Sequence, residues 1–307
     1  MAYALFLGCV IPVREPSYEL SVRKVFTGLG VDLVDLNGAT CCAPVPIESL
    51  DPKTSLTMAA FNLCLAEEAG LDLMTICNGC FETLSKANSI LKEDAELKSY
   101  VNTVLANVGK EYKGRLAVKN YLQVLHGVVG LDKIKKAITS PLDGLNVAAF
   151  YGCHLLKPSS ILKFDDPESP HVLDEMIEIT GARSIPYLNK IRCCGGLLRG
   201  VQDDLASKLA RDKIFNVSQA QADAVITTCP FCFLQFDLGQ LEFRRRFNET
   251  YEIPVLHYPE LLGLAMGITP NELGLHTHRV STQNLTRKVV RPKTSVDSNM
   301  LGERSVS

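Results

Sequence analysis

The sequence predicts an α/β protein of two pseudo-symmetric halves with mainly parallel sheets, on three observations. Ten of the eleven cysteines fall into two sets with one order. The first set is Cys9, Cys41-Cys42 and Cys77-x-x-Cys80; the second is Cys153, Cys193-Cys194 and Cys229-x-x-Cys232. In both sets 34 residues separate the vicinal pair from the CxxC (43–76 and 195–228), and 31 or 39 separate the first cysteine from the pair. Short apolar runs lead into these cysteines, and stretches of helical periodicity alternate with the runs, which is the pattern of parallel sheets.

Taken in order, "YALFLG" and "NVAAFYG" read as buried strands that open into a Gly-Cys loop. "VDLVDL" and "ARSIPYL" read as second strands ahead of the vicinal pairs, and "LDLMTIC" and "ADAVITTC" as third strands ending on a cysteine. Helices are expected at "TSLTMAAFNLCLAEEAG" and "LASKLARDKIFNVSQAQ" before the third strands. They are expected again at "FETLSKANSILKE" and "FLQFDLGQLEFRRRF" after them. Residues 81–140 read as mostly helical. The organisation expected is a first half with its connector over 1–140, a second half over 141–279, and a polar tail over 280–307, disordered or ordered by a partner. Ligands of open parallel sheets collect beyond the carboxyl ends of the strands, where every cysteine group falls.

Composition narrows the function. The net charge of −2 gives no support to nucleic-acid binding. No stretch reaches the ~18 apolar residues of a membrane span, and the start, "MAYALFLGCV", has no signal-peptide pattern. Eleven cysteines in a chain read as cytoplasmic point to metal binding or redox work rather than disulfides.

Thiolates are soft ligands suited to zinc and iron–sulfur clusters. Structural zinc closes with four ligands and would leave one thiol of each five idle. "CPFC" at 229–232, between a strand and a helix, fits a thioredoxin-like motif, but that reading leaves Cys153, Cys193, Cys194 and the duplication unexplained. An iron–sulfur reading uses the whole set, although a simple cubane needs only four cysteines. Gly8, Gly79, Gly152, Gly195 and Gly196 would let backbone approach such a site and turn N–H groups toward its sulfurs.

The twice-repeated C-x31–39-C-C-x34-C-x-x-C resembles the duplicated cysteine-rich (CCG) domain found in the B subunit of CoB–CoM heterodisulfide reductase of methanogenic archaea. "FLGC", "CNGCF", "KEYKG", "YGCHLLKPS", "CPFCFLQFDLGQ" and "PVLHYPELLGLAMG" carry the resemblance to about residue 280. It implies two noncubane [4Fe–4S] clusters, each held by the five cysteines of one half. It implies reduction of the heterodisulfide CoM-S-S-CoB to two thiols. The implied partners are an FAD-containing bifurcating heterodisulfide reductase subunit, a ferredoxin-like [4Fe–4S] subunit, and hydrogenase or formate dehydrogenase in the larger complex. The first vicinal pair, "CCAPVPIES", departs from the family's Pro/Gly order, whereas "CCGG" fits it.

That substrate carries a sulfonate and a phosphate, which call for Arg or Lys. Arg14, Lys157, Arg192 and Arg199 are the candidates near the cysteine loops, and His154 is the candidate proton donor to a leaving thiolate. Cys64 sits in an apolar helix stripe as a core residue. His257, His276 and His278 suggest no metal site, and "FRRRF" at 243–247 reads as a solvated face or docking patch. Two rival readings remain at this level: a related subunit with another sulfur substrate, and a CCG-domain electron-transfer subunit of a respiratory dehydrogenase.

Overall fold

A computed structural model describes residues 1–289. The first half holds β1 (Ala2–Phe6), β2 (Asp32–Asp35), β3 (Leu73–Thr75) and β4 (Val118–Asn120), in the order β2-β1-β3-β4. The second holds β5 (Asn146–Phe150), β6 (Arg183–Ser184), β7 (Ala224–Thr227) and β8 (Val255–His257), in the order β6-β5-β7-β8. Every pairing is parallel. The registers repeat as well: Phe6 lies opposite Thr75 and Phe150 opposite Thr227, while Asn120 and His257 close the far edges in equivalent positions.

The helices connecting these strands are Pro52–Glu68 and Asn78–Glu93 in the first half and Asp203–Gln219 and Pro230–Phe247 in the second. In each half the chain leaves the central strand for one neighbour and returns on its other side, so a crevice opens at that switch. Cys9 and Cys153 follow the central strands, and Cys77 and Cys229 follow the strands returning beside them.

Three features differ from the sequence reading. The segment 81–140 is mostly helical as read, but it also holds the unread strand β4, and β8 likewise joins the second sheet; both are three-residue strands, too short to show a period. "ARSIPYL" yields only the two-residue β6, since Pro186 has no N–H for a sheet ladder. The described part of the expected polar tail is ordered: Val280 is buried with its N–H on Asp237, and Gln283–Val289 is helical with Leu285 buried. The remainder of that segment, 290–307, lies outside the described residues.

The halves share one apolar core. Helix Pro16–Gly28 of the first half packs on helix Tyr258–Ala265 of the second, and helix Asn78–Glu93 packs on the turn Cys153–Leu156. Asn78, buried and next to Cys77, ties the seam. Its Nδ2 donates to the Tyr151 carbonyl and to Thr228 Oγ1, both at 2.8 Å, and its Oδ1 accepts from Asn120 at 3.2 Å.

Candidate functional site

All ten repeated cysteines line one cavity of about 740 Å³ that opens to solvent. Its walls are largely sulfur and hydrocarbon, with Leu7, Val10, Leu197 and Phe231 among the lining residues, and its polar side chains are Asn78, Glu82 and His154. Cys9 and Cys193 are exposed, whereas Cys42, Cys77, Cys80, Cys194, Cys229 and Cys232 are buried.

The vicinal pairs reach the cavity by one backbone device. Each is followed by a residue in the left-handed region, Ala43 at φ 59° and Gly195 at φ 81°. The turn aims an N–H back at the preceding sulfur: Ala43 N lies 3.4 Å from Cys41 Sγ and Gly195 N lies 3.3 Å from Cys193 Sγ. Gly196 N adds a third such contact, to Cys194 Sγ at 3.3 Å. Two adjacent cysteines thereby serve one site, which an extended strand would forbid.

The CxxC pairs work differently. Cys77 and Cys229 are the N-caps of helices Asn78–Glu93 and Pro230–Phe247; hydrogen bonding from Cys232 and Cys77, with backbone N–H groups of the first turn, pulls Cys229 down, while its bond to Cys229 pushes Cys77 up. Crowding sorts the thiols further. Hydrogen bonding from Cys41, then from Cys80, pulls the Cys42 thiol down to about 4, with Thr83 adding a smaller share. The Cys153 hydrogen bond likewise pulls Cys193 down, while Cys41 and Cys153 are pushed up. Cys194 and Cys232 Sγ lie 3.3 Å apart. The donor set is thus all sulfur, partly thiolate, with backbone N–H groups aimed at it, and it fits a soft iron–sulfur group. Among the described residues no three Cys, His, Asp or Glu side chains converge as ligands of a single ion; the thiols surround a volume instead.

Of the residues singled out in the sequence, Gly8, Gly79, Gly152, Gly196 and His154 line the cavity with the cysteines. At Gly8 a Cβ would come within 3.0 Å of Cys80 Sγ. Gly195 does not line it; it abuts the Ala206 backbone, where a Cβ would sit at 3.0 Å.

Arg14, Lys157 and Arg199 are absent from the wall, contrary to their expected role as substrate ligands. Lys157 is exposed and pairs with Glu168 at 2.8 Å. Arg14 is exposed and lines a different pocket. Arg199 is bound to Glu242 at 2.9 Å and to Gln235, whose Nε2 holds the Cys194 carbonyl at 2.9 Å, so it braces the CCGG loop. Arg192 is exposed beside Cys193.

Sequence reasoning missed three residues. Glu82 lies on the first turns of helix Asn78–Glu93, 95% buried, with Oε2 3.6 Å from His154 Nδ1. That carboxylate holds the imidazole above its usual value, against the opposing effect of burial. Lys213 is buried behind the second set; burial pushes it down to about 8, and it donates to the Asn189 carbonyl ahead of the vicinal pair. Asn78 is the third. A charged or amide residue on a cysteine-bearing helix face was the available signal for Glu82 and Asn78. Nothing in the sequence around Lys213 marks it as buried.

The cysteine-rich (CCG) domain family matches the chain twice, over residues 3–85 and 147–237. The B subunit of the ferredoxin/F420H2-dependent CoB–CoM heterodisulfide reductase of Methanosarcina acetivorans is 42% identical over 93% of this chain and 96% of its own length. The B subunit of the ferredoxin:CoB–CoM heterodisulfide reductase of Methanosarcina mazei is 40% identical over 93% and 96%. The 8-methylmenaquinol:fumarate reductase membrane anchor subunit of Wolinella succinogenes is 31% identical over 92% and 98%. A solved structure, a hypothetical protein from Helicobacter pylori, superposes with a TM-score of 0.74 at 18% identity, over 91% of this chain and 52% of that one, and shows the fold alone. With two thiol-lined halves closing on one cavity, the chain belongs to the family of heterodisulfide reductase B subunits, iron–sulfur oxidoreductase subunits built on a duplicated CCG domain.

Proposed function

We propose that this chain is where CoM-S-S-CoB is reduced to the coenzyme M and coenzyme B thiols. In this reading two noncubane [4Fe–4S] clusters are held there, one by Cys9, Cys41, Cys42, Cys77 and Cys80 and one by Cys153, Cys193, Cys194, Cys229 and Cys232. The observation that carries it is the convergence of both cysteine sets on a single cavity, because a disulfide presents two sulfurs and needs two electrons. When bound, the clusters supply those electrons one at a time.

The chain's own residues do the rest. The apolar wall of Leu7, Val10, Leu197 and Phe231 keeps water from the reacting sulfurs. Asn78 holds both sides of the seam at fixed spacing, which positions a disulfide between the two thiol sets. His154, whose imidazole the neighbouring Glu82 shifts toward its protonated form, is the group beside the cavity that can give a proton to a departing thiolate. The described lining residues include no Arg or Lys, so the sulfonate and phosphate stay at the rim, where Arg192 is exposed next to Cys193.

Electrons reach this site from an iron–sulfur partner protein. The names of the Methanosarcina relatives point to ferredoxin or F420H2 as donor, ahead of the hydrogenase or formate dehydrogenase of the resemblance. The partners proposed are the FAD-containing bifurcating subunit of the reductase together with its ferredoxin-like [4Fe–4S] subunit. A second reading, electron transfer within a quinol-linked complex, is favoured by the Wolinella relative. Among the described residues no helix is long and apolar enough to cross a membrane.

The test is anaerobic oxidation of reduced viologen dye by CoM-S-S-CoB with iron-loaded protein. Turnover that is lost in Cys193→Ser supports disulfide reduction at the site. Full iron content without turnover supports the electron-transfer reading.

A further inference from the structure

On the seam beside the cysteine cavity lies a second polar cluster that disulfide reduction, as described above, does not use. Glu15 Oε2 meets His257 Nε2 at 2.7 Å, and Glu260 Oε1 meets His278 Nε2 at 3.0 Å; none of these four side chains is more than 1% exposed. The pairs are joined. The His257 N–H donates to Glu260 Oε2 at 2.8 Å, and Ser17 Oγ lies 3.4 Å from His278 Nε2. Tyr18 stacks on His257 with ring centres 3.5 Å apart, Phe233 covers its other face at 4.6 Å, and Phe233 also meets His278 edge-on at 5.0 Å.

Among the described residues two buried atoms of this cluster have no hydrogen-bond partner, Glu15 Oε1 and His257 Nδ1. Unpartnered buried polar atoms are costly, and two in one place ask for a purpose. The cluster has an inner end and an outer end. Inward, the Tyr18 hydroxyl donates to the Ile76 carbonyl at 2.6 Å and approaches the Thr228 carbonyl at 3.4 Å, the residues just before Cys77 and Cys229. Outward, Glu15 and His278 form part of the wall of a pocket that also includes the exposed Arg14 and Arg279.

We propose that this cluster is a proton-loading site: for each electron entering the iron–sulfur group on the second cysteine set, one proton passes from solvent through the Arg14–Arg279 pocket onto the Glu15–His257 pair. The inference rests on an iron–sulfur group being present, not on which disulfide is reduced. The balance matches the chemistry, since a disulfide, two electrons and two protons give two thiols, and the electrons come from the low-potential carrier that serves this chain.

The surroundings favour uptake. Burial holds the Glu15 carboxyl well above its usual range, and negative charge at Cys229 adds to this, followed by Glu260 and Asp237, with Arg14 opposing. Burial, with His278 adding to it, holds the His257 imidazole neutral. The remaining titratable neighbours, Tyr18 and Tyr121, are held protonated by burial. The one proton shared across the Glu15 Oε2–His257 Nε2 contact then sits on the neutral imidazole, and the Glu15 carboxylate, whose Oε1 has no partner among the described residues, takes the next one to become a carboxylic acid.

The experiment is potentiometry of the iron-loaded full-length protein, followed by EPR, between pH 6 and pH 9. One proton per electron makes the reduction equilibrium change tenfold per pH unit, about 59 mV for a one-electron step. This slope is expected in the wild type, should persist in His154→Gln, and should vanish in Glu15→Gln. His278→Gln, which cuts the outer link and keeps the pair, serves if Glu15→Gln holds no iron. A reduced-minus-oxidised infrared spectrum of the wild type should also contain a carboxylic-acid C=O difference band. A pH-independent potential in iron-loaded wild type would overturn the inference, as would a slope that survives Glu15→Gln or disappears with His154→Gln. Protein that takes up no iron would overturn the iron–sulfur reading itself, and this one with it.

Discussion

Ala43 and Gly195 occupy equivalent turns, and their difference is a matter of one Cβ. The left-handed region costs a non-glycine residue about 1–2 kcal/mol, and Ala43 carries that strain while Ser55 Oγ holds its carbonyl at 2.6 Å. At Gly195 a Cβ would add a collision with the Ala206 backbone at 3.0 Å. Gly195→Ala should therefore lower the thermal midpoint by several degrees and weaken iron retention, whereas Ala43→Gly should leave the midpoint unchanged or raise it slightly. Anaerobic thermal unfolding of the loaded proteins distinguishes the two.

Glu15 and His257 give a residue-level prediction in pH. The folded Glu15 carboxyl keeps its proton where the unfolded one, above about pH 4.5, has lost it, so its contribution to stability falls as pH rises. Folded His257 refuses the proton that the unfolded residue takes below about pH 6.5, so its contribution falls as pH drops. Between these values the two oppose each other. Glu15→Gln removes the first and leaves the second, so between pH 6.5 and pH 5 the variant should lose up to about 1.4 kcal/mol per pH unit relative to wild type. Denaturant titrations at the two pH values measure it, and parallel curves would refute it.

At the scale of elements, the fourth strands show how the repeat extends beyond cysteine. β4 ends in Asn120-Tyr121-Leu122-Gln123 and β8 in His257-Tyr258-Pro259-Glu260. In both, a Gln or Glu three residues beyond the strand end bonds back to the backbone N–H of the strand-end residue, and in the first half Asn120 Oδ1 also accepts from the Leu122 N–H. In the first half this is the reciprocal capping pattern of helix starts, and in the second only the return bond is made. Asn120 also donates to Asn78, so its side chain links a strand end, a helix start and the cysteine-bearing helix. Asn120→Ala should cost about 1–2 kcal/mol, and Gln123→Ala less, since it removes only the return bond; comparing their denaturation midpoints checks the order.

For the whole molecule, the site exists only because the halves meet. Asn78 is on the first half and both of its acceptors are on the second. Asn78→Ala would leave buried polar groups unpaired at a cost of about 3 kcal/mol. It should loosen the spacing of the two cysteine sets, seen as a lower unfolding midpoint with faster iron loss to a chelator. Unchanged iron loss would mean that the apolar contacts alone hold the seam.

The cysteine order, the alternation of apolar runs and amphipathic helices, and the Gly-Cys loop starts were enough to determine the α/β class and the duplication. These depend on local period and spacing, which a single chain displays. The short strands β4 and β8 were not legible, because three residues carry no period and their pairing is decided by neighbours far along the chain. Charge was misread for a related reason. Arg14, Lys157 and Arg199 lie near cysteine loops in sequence, yet each side chain reaches another partner or another pocket. Glu82, Asn78 and the Glu15–His257 pair owe their places to burial against the opposite half, and burial is a property of the folded molecule.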